Sequence, residues 1–459
     1  MKFNPRPYQK KSIDFILDNP RAGLFLDMGL GKTVSVLTAF DLLKYDRAEV
    51  GSLLVIAPLK VALLTWRQEI EKWDHLRHLR VSLIHGPQKD KALFARADVY
   101  VINYDGLRWL RDMARVPTSM CSDFPKIDMA VFDESTEIKN PSAIRSKACR
   151  VLFQATPRKV IMTGTPTPNS LMDIWGQILM LDNGERLGST LTAFRRRYFL
   201  SGGYGGYQYY PVRGARQEIS NKISDIVLTM KASDYIEMPD EITNKVDVEF
   251  PEKLKDTYDK FEKEFFLEIA GEEVEAFNTA SLAMKLRQFV QGFLYGEEKT
   301  VKIHEHKLDA LENILENTSS PVLVAFQFRH EVEILKERFP DMKFIYGATS
   351  SKEATENLQL WNEGKLRCLA VHPKSFRYGV NAQAGGNVIV WYGLAYEPPD
   401  QFNARLLRQG QQASKVIIYY FVMKDTVDEA IMKAVEAKVK GQDKLLQMLR
   451  EWYNEKKAA

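Results

Sequence analysis

Apolar residues along the chain gather in short runs separated by longer amphipathic stretches. Runs at 23–26, 53–57, 99–102, 129–132 and 160–162 are rich in Leu, Val, Ile, Met and Phe. Each is too short for a helix and apolar throughout, which predicts strands buried on both faces. Such strands alternating with helical stretches predict a parallel α/β sheet. The rhythm returns at 322–326, 343–346, 368–371, 388–391 and 416–421, so a second α/β lobe is expected. Between them the pattern changes to charged helical segments such as 252–268, preceded by a glycine- and tyrosine-rich stretch, SGGYGGYQYY, at 201–210. Beyond the last run, Thr426 and Glu429 stand at capping-box spacing. Ile431, Val435, Leu445, Met448, Leu449 and Trp452 then predict amphipathic helix packed on the second lobe. The expected organisation is a first lobe over 1–183, a helical insertion and connector over 184–300, and a second lobe with C-terminal helices over 301–459.

Length and composition agree with that division. A chain of 459 residues exceeds one compact domain, and 45% hydrophobic with 27% charged residues is ordinary for a folded globular protein. Lys and Arg number 64 against 60 acids, a net charge of only +4, so any surface for a polyanion must be a local patch. The densest basic cluster is Arg195, Arg196 and Arg197, flanked by Phe194 and Tyr198. It fits either a DNA contact or a helix whose aromatic residues pack inward while its arginines are solvated. Cys121, Cys149 and Cys368 have no paired spacing and the seven histidines form no ligand pattern, so neither a disulfide framework nor a zinc site is expected. The start, MKFNPRPYQKK, lacks the apolar run of a signal peptide. The most apolar stretch, 53–64, is too short to span a bilayer and is broken by Pro58 and Lys60. A cytoplasmic location without membrane contact is expected.

Three segments carry chemistry. DMGLGKT at 27–33 lies between an apolar strand and a helical run, the context of a phosphate cradle. Gly29 and Gly31 let backbone N–H groups approach phosphate oxygens, Lys32 supplies charge at the β and γ phosphates, and Thr33 offers a hydroxyl to Mg²⁺. The full pattern asks for glycine at position 26, where this chain has Leu26. By itself the segment also suits a glycine turn of an α/β fold that binds no nucleotide. The strand at 129–132 ends in Asp133 and Glu134, suited respectively to holding Mg²⁺ and to deprotonating an attacking water. Finally, DQFNARLLRQGQ at 400–411 places Arg405 and Arg408 three residues apart, on one face of an expected helix. Two guanidiniums so placed suit a polyphosphate or surface ion pairs.

Together these segments resemble the Swi/Snf-type DNA translocases of helicase superfamily two, in order along nearly the whole chain. Arg6, Tyr8 and Gln9 resemble the family's adenine-sensing element. DMGLGKT, with Met28 and Leu30 beside its glycines, resembles a family phosphate loop that also lacks the leading glycine. VIAPLKVALLTWRQEI at 55–70, VINYDGL at 101–107, DESTEIKN at 133–140 and TGTP at 163–166 resemble the segments that follow. In the second half, VAFQFRHEVEIL at 324–335, YGATSSKEATENLQLWNEG at 346–364, SFRYGVNAQAGGNVIVW at 375–391 and QFNARLLRQGQ resemble its later motifs. The third of these, which links ATP and DNA in the family, contributes Gly379 and Asn381. ISDIVLTMKASDYIEMPD at 223–240 resembles the stretch joining the lobes, and SLAMKLRQFVQGF at 281–293 a helix before the second. Two departures stand out: Ser135 and Thr136 where the family usually has Gly-His or Ala-His, and a Leu-Arg-Gln-Gly-Gln ending where it has His-Arg-Ile-Gly-Gln.

The resemblance implies two RecA-like lobes, ATP and Mg²⁺ as cofactors, and DNA, double-stranded or branched, as partner. It assigns Lys32, Asp133 and Glu134 to the first lobe and the arginine fingers Arg405 and Arg408 to the second, acting across an inter-lobe cleft as a monomeric motor. Compactness suggests a bacterial or phage protein. An RNA helicase shares the lobes, although TGTP stands where those enzymes commonly have Ser-Ala-Thr. A nucleotide-dependent interaction switch shares the phosphate loop but has no use for the paired arginines.

Overall fold

The computed structural model describes residues 1–114, 124–168, 170–202, 208–235, 239–270, 276–296, 300–376, 380–395, 399–408, 410–437 and 452. The chain divides into two compact units, Met1–Ile236 and Glu237–Ala459. The stretch 184–300, expected as a separate insertion, is shared between them.

In the first unit the strands are β1 (Arg21–Leu26), β2 (Leu53–Ala57), β3 (Val81–Ile84), β4 (Val99–Asn103), β5 (Met129–Asp133), β6 (Arg158–Thr163), β7 (Phe199–Gly202), β8 (Gln208–Pro211) and β9 (Val227–Met230). Seven of them form one sheet in the order β3-β4-β2-β5-β6-β1-β9, and every pairing is parallel. β7 and β8 make a separate antiparallel hairpin. The helices are α1 (Pro7–Asp18), α2 (Lys32–Asp41), α3 (Trp66–Lys72), α4 (Lys89–Leu93), α5 (Leu107–Ala114), α6 (Ile144–Phe153), α7 (Asp173–Asp182), α8 (Leu191–Tyr198) and α9 (Ala215–Ile223). Central strands such as β2 are buried at every position, as a sheet covered on both faces requires.

The second unit holds a six-stranded sheet, also wholly parallel, in the order β10-β17-β16-β13-β15-β14. Its strands are β10 (Asp240–Val248), β13 (Val322–Ala325), β14 (Lys343–Ile345), β15 (Cys368–Val371), β16 (Val388–Trp391) and β17 (Lys415–Met423). A small hairpin pairs β11 (Phe293–Tyr295) with β12 (Thr300–Lys302). Its helices are α10 (Glu252–Ala270), α11 (Ala276–Val290), α12 (His306–Asn317), α13 (Arg329–Arg338), α14 (Ser351–Asn362), α15 (Asp400–Asn403) and α16 (Val427–Glu436). Thr426 caps α16 by accepting from Asp428 N, and Trp452 is buried in the apolar core that also holds Tyr258 and Ile431. Leu445, Met448 and Leu449 lie outside the described residues. Among those residues no helix is long and apolar enough to cross a membrane.

The α/β class with two parallel sheets is therefore as the hydrophobic pattern predicts. The expected helix under Arg405 and Arg408 is not: α15 ends at Asn403, and the following residues form a turn. Past Asn403 the backbone bonds tighten to three-residue turns, Arg405 N to Phe402 O and Leu406 N to Asn403 O, while the Asn403 amide points inward, accepting from Trp391 Nε1 and donating to the Tyr420 hydroxyl.

Candidate active site

Strand order sets the site. β6 lies between β5 and β1, with Phe25 opposite Thr163 and Asp133 opposite Met162. The loop after β1, the acids after β5 and the threonine ending β6 are thus neighbours at the carboxyl edge of one parallel sheet, where α/β folds place ligands.

The loop after β1 turns on two left-handed glycines, Gly29 at φ 88° and Gly31 at φ 66°. The left-handed φ favours glycine at 31, where a Cβ would fall 2.5 Å from Gln9 Nε2 and push that side chain aside. Gln9, from α1, thereby touches the loop while its Oε1 accepts from Arg6 N at 2.9 Å, the N-cap of that helix. Tyr8 is buried, its ring 5.9 Å from that of Tyr235. Leu30 is fully buried and anchors the loop, whereas Met28 and Thr33 are half-buried. Lys32 folds back over the loop and donates to Leu26 O at 2.7 Å and Asp27 O at 3.1 Å. Asp27 in turn accepts from Ala232 N at 2.9 Å, which ties the loop to the segment after β9.

At the end of β5, Asp133 Oδ2 accepts from the indole N–H of fully buried Trp66 at 3.0 Å, and its carbonyl accepts from the Tyr104 hydroxyl at 2.9 Å. Burial, with the Glu134 charge beside it, pushes the Asp133 carboxyl up to about 7, against the pull of the Trp66 N–H and Lys32. Glu134 sits at φ 54°, ψ 59°, a left-handed conformation that a non-glycine residue adopts at a cost and that recurs at functional sites. Its Oε1 accepts from Thr163 Oγ1 at 3.2 Å and from Thr136 Oγ1 at 3.3 Å. Thr163 Oγ1 also accepts from Thr165 N. Ser135 is buried and donates to Gln177 Oε1 at 2.7 Å. Gln177 Nε2 donates onward to Pro166 O at 2.6 Å. The acidic motif and the threonine motif are therefore joined by side-chain bonds at two places.

Thr33 and Asp133 offer hard oxygen donors of the kind Mg²⁺ takes, a cation bound through one or two carboxylates plus phosphate. The hard-oxygen chemistry of this donor set fits a divalent cation there, and such a cation would offset the desolvation and the Glu134 charge that raise the Asp133 carboxyl. Trp66, Tyr104 and Gln177 are site residues that sequence reasoning missed. Trp66 and Tyr104 lie within segments already singled out, but only the sheet order shows that they reach Asp133.

In the second unit, Arg405 is buried and donates to Val380 O at 3.2 Å. Burial lowers the Arg408 guanidinium from its ordinary value, and its Nε is buried without a hydrogen-bond partner. Asn381 is exposed, its carbonyl accepting from Asn362 Nδ2 at 2.8 Å. Gly379 lies outside the described residues.

The model of the SNF2-related domain matches residues 8–293. The chain belongs to the SNF2-related family. Among its relatives, a protein named p41 from the Acyrthosiphon pisum secondary endosymbiont phage 1 is 36% identical over 98% of this chain and 99% of its own length. A Bacillus subtilis protein named as an ATP-dependent helicase/translocase is 25% identical over 96% of this chain, which spans 49% of that relative. The solved SWI2/SNF2 ATPase core of Sulfolobus solfataricus in complex with dsDNA aligns at 22% identity with a TM-score of 0.44, covering 95% of this chain and 91% of that one.

Proposed function

We propose that this SNF2-related chain is a DNA-dependent ATPase that turns ATP hydrolysis into movement along double-stranded or branched DNA. The observation that carries the reading is the convergence of Lys32, Asp133, Glu134 and Thr163 on neighbouring strand ends, with Glu134 held in a strained backbone conformation. Family membership and the names of relatives support the same reading.

In this reading Lys32 exchanges its carbonyl partners Leu26 and Asp27 for phosphate oxygens, and the loop N–H groups bind the rest of the phosphate chain. Thr33 and Asp133 would hold Mg²⁺, which would supply charge neutralisation at the phosphates. Glu134 orients the attacking water and takes its proton, with Thr136 and Thr163 fixing the carboxylate. Arg6, Tyr8 and Gln9 read the adenine side. Gly379 and Asn381 contribute to nucleotide binding from the second unit, where Arg405 and Arg408 supply charge to the transition state. The motor unit is a monomer acting in the cytoplasm of a bacterial or phage-infected cell.

The test measures ATP turnover with no nucleic acid, with duplex DNA and with RNA, beside displacement of a third strand from a DNA triplex. Stimulation by duplex DNA together with triplex displacement is expected. Stimulation by RNA alone makes the chain an RNA helicase. Hydrolysis that ignores DNA and displaces nothing makes it a switch, and either result sinks the proposal.

A further inference from the structure

The ATP site does not explain one surface of the first unit. Residues 191–223, which span α8, the β7–β8 hairpin and α9, hold five arginines and one lysine against a single acid, Glu218. Six positive charges less one negative give +5, more than the +4 of the entire chain. The segment is firmly seated, with Phe194, Tyr198, Phe199, Ala215, Ile219 and Ile223 buried in the core of the unit. Two of its arginines have internal roles. Arg197 pairs with Glu218 at 2.6 Å and so joins α8 to α9, and the Arg195 guanidinium lies 4.4 Å over the Tyr209 ring. Arg196, Arg213 and Arg216 are exposed.

The hairpin adds an apolar element. Leu200 and Tyr210 are direct cross-strand partners, so they project from the same face, and they are 65% and 49% exposed. Tyr209, one residue along, turns the other way toward Arg195. The Tyr210 ring lies against Gly202, where a Cβ would come within 3.0 Å of it, so the glycine lets the ring settle across the strand. An exposed leucine and tyrosine on an antiparallel ribbon flanked by arginines match a polyanion that also offers an apolar surface. Phosphates alone explain the arginines but not the pair. An unpaired base supplies a π-face for the tyrosine, whereas the bases of an uninterrupted duplex are stacked away.

We propose that this face binds DNA where base stacking is interrupted: Arg196, Arg213 and Arg216 hold phosphates, and Tyr210, beside Leu200, stacks on the first unpaired base. The inference rests on the DNA-motor reading above, narrows its DNA to forked or gapped forms, and adds a site that recognises them.

Binding of the full chain is measured across a salt series to a blunt duplex and to a forked duplex sharing one strand, with ATP turnover without DNA as a control for intact fold. Wild type is expected to prefer the fork. Arg196→Ala, Arg213→Ala and Arg216→Ala combined should weaken binding to both DNAs and flatten the salt slope by about 0.9 for each phosphate that is no longer neutralised. Tyr210→Ser should cost roughly tenfold or more on the fork and little on the duplex, and Tyr210→Trp should retain the preference. Equal wild-type affinity for both DNAs, or unchanged fork binding in Tyr210→Ser, overturns the proposal. If DNA stimulates wild-type turnover while these variants behave as wild type, the surface fails and the motor reading stands. If DNA neither binds nor stimulates wild type, the motor reading itself has failed.

Discussion

At the residue scale, one departure from the family pattern, Ser135-Thr136, sits where Glu134, the proposed base, is held. Thr136 occupies the place of the usual histidine and, with Thr163, donates to one oxygen of Glu134. Two short hydroxyls fix a carboxylate only through their O–H groups, so valine, which keeps the shape, should lose the effect while serine keeps it. We expect Thr163→Val and Thr136→Val to lower kcat about tenfold to a hundredfold with the KM for ATP nearly unchanged, and the serine variants to stay close to wild type. A matched rise in KM would show instead that the threonines shape nucleotide binding. Asp133 gives a second prediction, in pH. Its folded value of about 7 lies above the ordinary 3.8, so the native state keeps a proton that the unfolded chain has lost. Stability must therefore fall as pH rises from about 4 through 7. Asp133→Asn lacks that ionisation and should be more stable than wild type above pH 7, by on the order of 1–3 kcal/mol. The gap should close near pH 4, as read by denaturant melts without Mg²⁺. A gap independent of pH would mean that burial of the acid is not its cause.

At the element scale, the hydrophobic pattern carried far where strands are central and failed where they are edges. β2, β5, β13 and β16 read as unbroken apolar runs because helices cover both their faces. β10, with charged residues on an edge strand largely open to solvent, has no such signature and passed for connector. The phosphate loop and the acid pair were equally plain, since each needs particular residues in a fixed local order. Contacts reaching across the sheet, such as Trp66 to Asp133 and Gln177 to Ser135, depend on strand order and so escaped sequence reasoning. Arg405 and Arg408 have helical spacing, but the backbone passes into three-residue turns after Asn403 and the helix ends first. One tie in the second unit was equally hidden: Lys307 of α12 and Asp428 of α16 meet at 2.6 Å, both side chains almost wholly buried. Removing one partner strands a charge, so Lys307→Met should destabilise the unit by about 3–5 kcal/mol. Adding Asp428→Asn should restore part of that loss, because the amide still accepts from Met423 N without carrying a charge. No restoration in chemical denaturation of the double variant would place the cost in packing rather than in the unpaired acid.

At the scale of the whole molecule, the nucleotide chemistry attributed to the first unit could serve a simple nucleotide-binding domain, and the arginines of the second decide whether the chain is a two-lobed motor. Their surroundings differ, which makes the test sharper than a pair of identical truncations. Arg405 is buried and supports Val380 O, so its loss should lower the stability of the second unit as well as turnover. Arg408 is half-buried with its Nε shielded from solvent and unbonded, and among the described residues no backbone carbonyl accepts from it as Val380 O accepts from Arg405, a state that costs free energy unless the group serves another purpose. If that purpose is transition-state charge, Arg408→Ala should leave ATP affinity and melting temperature near wild type. It should also cut DNA-stimulated turnover by about a thousandfold. Arg408→Lys should rescue little, since an ammonium keeps the charge but loses the planar fork. Arg405→Ala should show the same loss of turnover accompanied by a lower melting temperature, and Arg405→Lys should recover stability before activity. The measurements are nucleotide binding, thermal melting and ATP turnover with duplex DNA on all four variants. Near-normal turnover in both alanine variants would take the second unit out of the chemistry, because nothing else proposed for it touches the reacting phosphate. The chain would then hydrolyse ATP with its first unit alone, and movement on DNA would have no source in the catalytic cycle.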